Sequence, residues 1–132
     1  MGPALNLLLD TAALLFITRE PDRVTTTARA ALDDSDSTLW ISAASAWEIA
    51  TKHRLGRLPQ AQPLVEDWFG QLDRFRFQQL DVSHQHALRA GSYDVGHGDP
   101  FDRVIAAQAE LESMTLVAND RHFDLFPVNR LW

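Results

Sequence analysis

The segment Leu5-Asn6-Leu7-Leu8-Leu9-Asp10-Thr11 decides the fold class of this chain of 132 residues. Its short apolar run is typical of a strand buried on both faces of a parallel sheet, and the acid that follows marks the end of that strand. Residues 12–16 have helical composition. A buried strand followed directly by a helix indicates a βα unit, in which the strand end faces solvent.

The same alternation continues along the whole chain and predicts its architecture. Strands are expected at residues 5–9, 38–42, 75–82 and 115–118, with a short edge strand at 127–131. Helices are expected at residues 12–16, 21–32, 43–55, 63–72, 83–90 and 99–112. This order predicts one three-layer α/β/α domain over residues 1–132, with a central parallel sheet covered by helices on both faces.

Composition narrows the class of protein. With 45% apolar and 23% charged residues, the chain is typical of a globular protein, and no run approaches the ~18 apolar residues of a membrane span. The absence of cysteine excludes disulfides and thiolate chemistry; together with the lack of a signal-like N-terminus it favours a cytoplasmic protein. The net charge of -6 disfavours a broad basic surface for nucleic acid, but does not disfavour cleavage of it.

Four acids are expected to meet at one edge of the sheet. They are Asp10, Glu48, Asp102 and Asp120. Ligand sites of open parallel sheets lie beyond the carboxyl ends of the strands. Asp10 directly follows one strand and Asp120 lies just past another. Glu48 lies in the helix after the second strand, and Asp102 lies in the first turn of a helix that starts at that edge. Clustered carboxylates repel one another unless a cation is present, so the pattern predicts Mg²⁺ or Mn²⁺ held against a phosphate. We interpret this as a metal-dependent nuclease site.

Each acid also has a purely structural explanation. Asp10 could cap the following helix, and Asp120 could cap a short turn. Glu48 lies four residues before Lys52, which suits an exposed ion pair on a helix. The joint placement on one edge favours a shared function over independent explanations.

The two aspartates of Asp99-Pro100-Phe101-Asp102 are expected to differ in role. Asp99 precedes a proline and is placed to cap the helix that begins there. Asp102 lies in the first helical turn, where a negative charge also suits the helix dipole. We assign Asp99 to structure and Asp102 to the metal.

Four ordered motifs resemble one known family. They are Leu-Leu-Asp-Thr at 8–11, Ser-Ala-Ala-Ser-Ala-Trp-Glu-Ile-Ala at 42–50, His-Gly-Asp-Pro-Phe-Asp-Arg-Val-Ile-Ala-Ala-Gln-Ala at 97–109, and Asn-Asp-Arg-His-Phe at 119–123. They resemble PIN-domain ribonucleases, specifically the VapC toxins of type II toxin-antitoxin pairs. The resemblance spans nearly the whole chain.

That resemblance implies a set of site residues and partners. Asp10, Glu48, Asp102 and Asp120 would surround Mg²⁺ or Mn²⁺, with Thr11 as a supporting hydroxyl. It further implies an RNA substrate, a homodimer, and a VapB-like antitoxin whose tail blocks the site.

The sequence departs from the family at one position. Many relatives have Thr or Ser two residues before the fourth acid, whereas this chain has Ala118. A hydroxyl that could orient water or a carboxylate beside Asp120 is therefore absent. Asn119 offers an amide oxygen, which is a weaker ligand for a hard cation.

The sequence also gives expectations for His97 and for Trp47. His97 could touch substrate or a leaving oxygen, although a histidine between glycine-rich loop residues is more often simply exposed. Trp47, beside Glu48, is expected to pack its helix against the sheet.

The expected mechanism needs no covalent nucleophile. One or two cations held by the carboxylates would activate water for in-line displacement at a phosphate. A receiver domain needs a lysine near its last strands, whereas the sole lysine of this chain is Lys52. A haloacid-dehalogenase-type phosphatase needs a second aspartate two residues after the first, and this chain has Ala12 there. The alternative that stays open is a catalytically silent PIN-like module that binds protein.

Overall fold

The computed structural model describes residues 5–96 and 98–132, so the expectation for His97 lies outside the described residues. Within them the chain forms a five-stranded sheet in the order β3-β2-β1-β4-β5, and every pairing is parallel. The strands are β1 (Leu5–Leu9), β2 (Ser37–Ser42), β3 (Gln78–Leu80), β4 (Thr115–Val117) and β5 (Arg130–Leu131).

Helices connect the strands. They are α1 (Thr11–Arg19), α2 (Thr26–Leu32), α3 (Ala43–Arg54), α4 (Gln62–Glu66), α5 (Trp68–Arg74), α6 (His84–Ser92) and α7 (Pro100–Leu111). Short 3₁₀ turns lie at Pro21–Arg23, Pro59–Ala61 and Arg121–Leu125. No helix of the described segments is both long enough and apolar enough to cross a bilayer.

The sheet is buried on both faces, as the sequence predicts. Leu8 and Leu116 belong to one buried cluster, which includes residues of α6 and α7. Leu7 and Leu9 point to the opposite face and join a second cluster with residues of α1 and α5. Successive strand residues therefore alternate between two apolar layers, and the predicted three-layer parallel α/β/α architecture is confirmed.

Two predicted helices are interrupted. The helix expected at 21–32 is a 3₁₀ turn at Pro21–Arg23 followed by α2, because Val24 is extended and Thr25 starts a new helix by accepting from the Ala28 N–H at 3.1 Å. The helix expected at 63–72 is divided at Asp67, whose backbone leaves the helical region and whose carboxylate caps α5 through the Gly70 N–H.

The third strand is shorter than predicted. Residues 75–82 were expected to be extended, but only Gln78–Leu80 pair with β2. Arg76 has a φ of 59°, a left-handed conformation that a strand does not contain. The strand therefore begins after this residue.

The strand register brings three strand ends to one place. Leu9 pairs with Ile41 of β2 and Val117 of β4, and the Asp10 N–H donates to the Val117 carbonyl at 3.1 Å. In the sheet, β2 and β3 lie on one side of β1, and β4 and β5 lie on the other side. A ligand crevice is expected where the order reverses, next to the carboxyl end of β1.

Candidate active site

Asp10 lies at the end of the central strand and caps α1. Its Oδ1 accepts a hydrogen bond from the Ala13 N–H at 2.7 Å. The capping role proposed as an alternative is therefore present. The residue is nevertheless buried, with 4% of its surface exposed, which is unusual for an aspartate that serves only as a cap.

Glu48 is held on the buried face of α3. Its Oε2 forms an ion pair with Lys52, so the predicted helical pair exists, but Glu48 is buried and the pair is not an exposed one. Its Oε1 is buried and has no hydrogen-bond partner among the described residues. A buried carboxylate oxygen without a donor costs free energy, and the lysine alone does not explain why this acid is buried.

Asp102 and Asp120 approach from the other half of the chain. Asp102 lies in the first turn of α7, and its N–H donates to Asp99 Oδ1 at 3.0 Å, which confirms Asp99 as the cap. Asp120 caps the turn that follows β4 by accepting from the His122 N–H at 2.9 Å. Asp102 is half-buried and Asp120 is exposed.

The other three acids lie near enough to Asp10 to affect its pKa. The pKa of Asp10 is raised to about 7, mainly by burial. The charges of Asp102, Glu48 and Asp120 also raise this pKa. The hydrogen bond from Ala13 opposes this shift. Three carboxylates far apart in sequence therefore act on the fourth through a low-dielectric environment.

The donor set suits a hard divalent cation. As placed, the side chains of residues 5–96 and 98–132 include no group of three or more Asp, Glu or His that could hold a metal ion. The carboxylates are nevertheless coupled through space, and Glu48 Oε1 lacks a partner in the described structure. A cation among these oxygens would offset the repulsion around Asp10 and satisfy Glu48.

A hydroxyl pair links the helices that carry two of the acids. Thr11 Oγ1 and Ser45 Oγ lie 2.9 Å apart, and both residues are buried. This bond fixes α1 against α3 between Asp10 and Glu48. The family resemblance implied a role for Thr11 and none for Ser45, although Ser45 lies three residues before Glu48 and so shares its helix face.

The expectation for Trp47 is wrong. Its side chain does not pack α3 against the sheet, because 66% of the residue is exposed. The buried face of α3 contains Ala44, Ser45, Glu48 and Ile49, and the helical period places position 47 outside that face. Trp47 instead meets Phe101 edge to face, with ring centroids 4.9 Å apart.

Comparison with known proteins identifies the family. The sequence pattern of the PIN domain matches residues 7–128. The chain therefore belongs to the PIN domain family.

Individual relatives agree with this assignment. Ribonuclease VapC16 of Mycobacterium tuberculosis is 40% identical over 58 residues, which are 44% of this chain and 41% of that protein, so the match spans under half of the relative's length. The crystal structure of VapBC2 from Rickettsia felis, bound to a promoter DNA fragment, has a TM-score of 0.67 at 20% identity. This match covers 97% of this chain and 100% of that chain. FitAcB from Neisseria gonorrhoeae has a TM-score of 0.62 at 22% identity, with 94% and 95% covered.

Proposed function

We propose that this PIN domain is an endoribonuclease that requires Mg²⁺ or Mn²⁺ and acts as the toxin of a type II toxin-antitoxin pair. The observation that carries the proposal is the burial of two carboxylates near the end of the central strand: Asp10 is 4% exposed, and Glu48 Oε1 has no hydrogen-bond partner among the described residues. Such an arrangement is unfavourable without a cation and is common where chemistry is performed. Membership in the PIN family and the match to Ribonuclease VapC16 support RNA as the substrate.

The residues of the chain take distinct roles in this proposal. Asp10, Glu48, Asp102 and Asp120 would hold the cation, which when bound supplies an acidified water and positive charge beside the scissile phosphate. The hydrogen bond from Ala13 fixes the orientation of Asp10, and the Thr11–Ser45 pair fixes the spacing of α1 and α3.

Lys52 also has a role in this proposal. In the described structure its ammonium neutralises one oxygen of Glu48. Its side chain is 36% exposed, so it can also reach toward an anion in solvent. We assign it to positioning Glu48.

The proposal includes partners. A VapB-like antitoxin would bind the chain and block the acid edge, by which we mean the sheet edge that carries Asp10, Glu48, Asp102 and Asp120. The active form would be a cytoplasmic homodimer. The motifs shared with VapC toxins support this assignment, and the fold shared with VapBC2 is compatible with it.

RNA cleavage by the purified protein tests the proposal. Single-stranded RNA should be cut with millimolar Mg²⁺ or Mn²⁺, and chelation by EDTA should stop the reaction. Asp10→Asn is the matched control, because asparagine keeps an oxygen that can accept from the Ala13 N–H while the charge is lost. It should fold and be inactive.

Metal binding is measured separately from activity. Mg²⁺ at a hundredfold excess over its Kd should stabilise the protein by ~2.7 kcal/mol. RNA cleavage that resists EDTA would contradict the metal mechanism. A stable protein that binds antitoxin but cuts no RNA with either metal would instead establish the silent binding module.

A further inference from the structure

Two aromatic residues come directly before two of the site acids in the sequence. Trp47 precedes Glu48 on α3, and Phe101 precedes Asp102 on α7. The rings contact each other edge to face at 4.9 Å between centroids. The aromatic pair Trp47–Phe101 therefore bridges the two helices that present Glu48 and Asp102.

The pair forms one wall of an apolar cavity. The cavity has a volume of about 300 Å³, and Val82, Pro100 and Val104 contribute to its remaining walls. Trp47 stays 66% exposed despite its contact with Phe101. A large ring left in solvent at the mouth of an apolar cavity is a feature of binding surfaces, since burial of this area would be favourable.

We propose that the aromatic pair Trp47–Phe101 is a stacking subsite for one unpaired base of the RNA, adjacent to the phosphate held at the acid edge. This inference rests on the proposed function. The occupant must complement both the acid edge and the exposed ring of Trp47. It needs an anionic group for the acids and their cation, and a flat apolar group for the exposed ring. A nucleotide carries both groups within one residue.

The subsite also accounts for the type of RNA. Bases within a duplex are stacked on each other and cannot cover an indole, whereas bases of single strands are available to aromatic side chains. Because every base has a π-face, the ring itself discriminates weakly among sequences. The pair therefore selects unpaired RNA over duplex RNA.

Binding of mononucleotides tests the subsite without any need for cleavage. In a proton–nitrogen correlation spectrum with saturating Mg²⁺, adenosine 5′-monophosphate should shift the indole N–H signal of Trp47, which Trp47→Phe identifies. Ribose 5-phosphate, which has the phosphate but no base, should leave this signal in place. The indole N–H of Trp40, which donates to Asn6 Oδ1 at 3.0 Å, is the internal control and should not move with either compound.

Kinetics on single-stranded RNA of random sequence provides the second test. Trp47→Ala should raise KM about 10-fold with kcat nearly unchanged, as expected for loss of one stacking contact. Phe69→Ala is the matched control, because this ring is 65% exposed on α5 and neighbours none of the four acids in sequence. Its KM should equal that of the wild type.

The outcomes separate the two proposals. A Trp47 signal that responds to adenosine 5′-monophosphate in a protein without RNA cleavage would support the subsite and refute the nuclease. RNA cleavage by the wild type, with no response of Trp47 and an unchanged KM in Trp47→Ala, would overturn the subsite alone. A change in oligomeric state on Trp47→Ala, measured by light scattering, would also overturn it, because a second copy would then cover the ring.

Discussion

The acid edge and the layer formed by α6 and α7 hold carboxylates in opposite ways. In the α6–α7 layer, Glu110 accepts two hydrogen bonds from Arg89, at 2.6 and 3.2 Å, and Glu112 Oε1 lies 2.9 Å from His86 Nε2. At the acid edge, Glu48 leaves one buried oxygen without a hydrogen bond in the described structure. The pKa of Asp10 is raised mainly by burial and further by the charges of three carboxylates.

Acids of this chain therefore stabilise the α6–α7 layer and oppose stability near Asp10. Paired carboxylates satisfy their oxygens and hold two helices together. Carboxylates that repel one another lower the stability of the metal-free protein, and such local conflicts are expected at functional sites. Substitutions that remove a charge should therefore have opposite effects in the two regions.

The largest expected effect separates the two aspartates at the start of α7. Asp102→Asn should reduce metal-dependent RNA cleavage by at least about 100-fold, since a ligand of a catalytic cation contributes several kcal/mol to the transition state. Asp99→Asn is the matched control. Asparagine can still accept from the Asp102 N–H, so this variant should keep most activity and stability.

Both rates are measured under saturating Mn²⁺, with circular dichroism to verify folding. An inactive Asp99→Asn beside an active Asp102→Asn would reverse the assignment of the two residues.

The strand pattern predicted the architecture because a parallel sheet buried on both faces requires continuous apolar runs, as in Leu7–Leu8–Leu9. The position of the acid edge followed from the same logic, since strand ends share one side of the sheet. The caps at Asp10 and Asp99 were also readable, because capping is a local interaction.

Features that depend on contacts between residues far apart in the chain could not be predicted from the sequence. Ser45 has no local signal for its bond with Thr11, 34 residues away. Exposure of Trp47 depends on which face of α3 meets the sheet, and on the approach of Phe101. The left-handed conformation of Arg76 is also set by tertiary packing, since residues other than glycine rarely adopt it.

The next largest effect is a dependence of metal-free stability on pH at the acid edge. Asp10 has a pKa of about 7 in the native state, against 3.8 as its ordinary value, so the native protein binds this proton more tightly than the unfolded chain. Its contribution to stability is fully present below about pH 4 and is lost as the pH rises through about 7. The loss is on the order of 4 kcal/mol at most.

Chemical denaturation in EDTA at about pH 5 and about pH 8 measures the part of this loss that falls above about pH 5, which is about 2–3 kcal/mol. Asp10→Asn is the control, because it cannot ionise and should be more stable than the wild type at the higher pH. Mg²⁺ should recover stability in the wild type at about pH 8 more than at about pH 5, since the metal competes with the proton. Identical pH profiles for wild type and Asp10→Asn would refute the electrostatic account of this residue.

The smallest expected effect tests the α6–α7 layer, where removal of a polar group should destabilise rather than stabilise. His86 is buried, its Nδ1 accepts from the Ser83 N–H at 3.0 Å, and its Nε2 therefore carries the proton donated to Glu112. His86→Leu should lower the free energy of unfolding by about 1–3 kcal/mol, because the Ser83 N–H loses its acceptor. RNA cleavage below the melting temperature should be unchanged.

His84→Leu, an exposed position on the same helix, should change stability by less than about 0.5 kcal/mol. If His86→Leu instead abolished cleavage in a protein that stays folded by circular dichroism, the division between a stabilising layer and a catalytic edge would be wrong, and α6 would have to be coupled to the acids through α7.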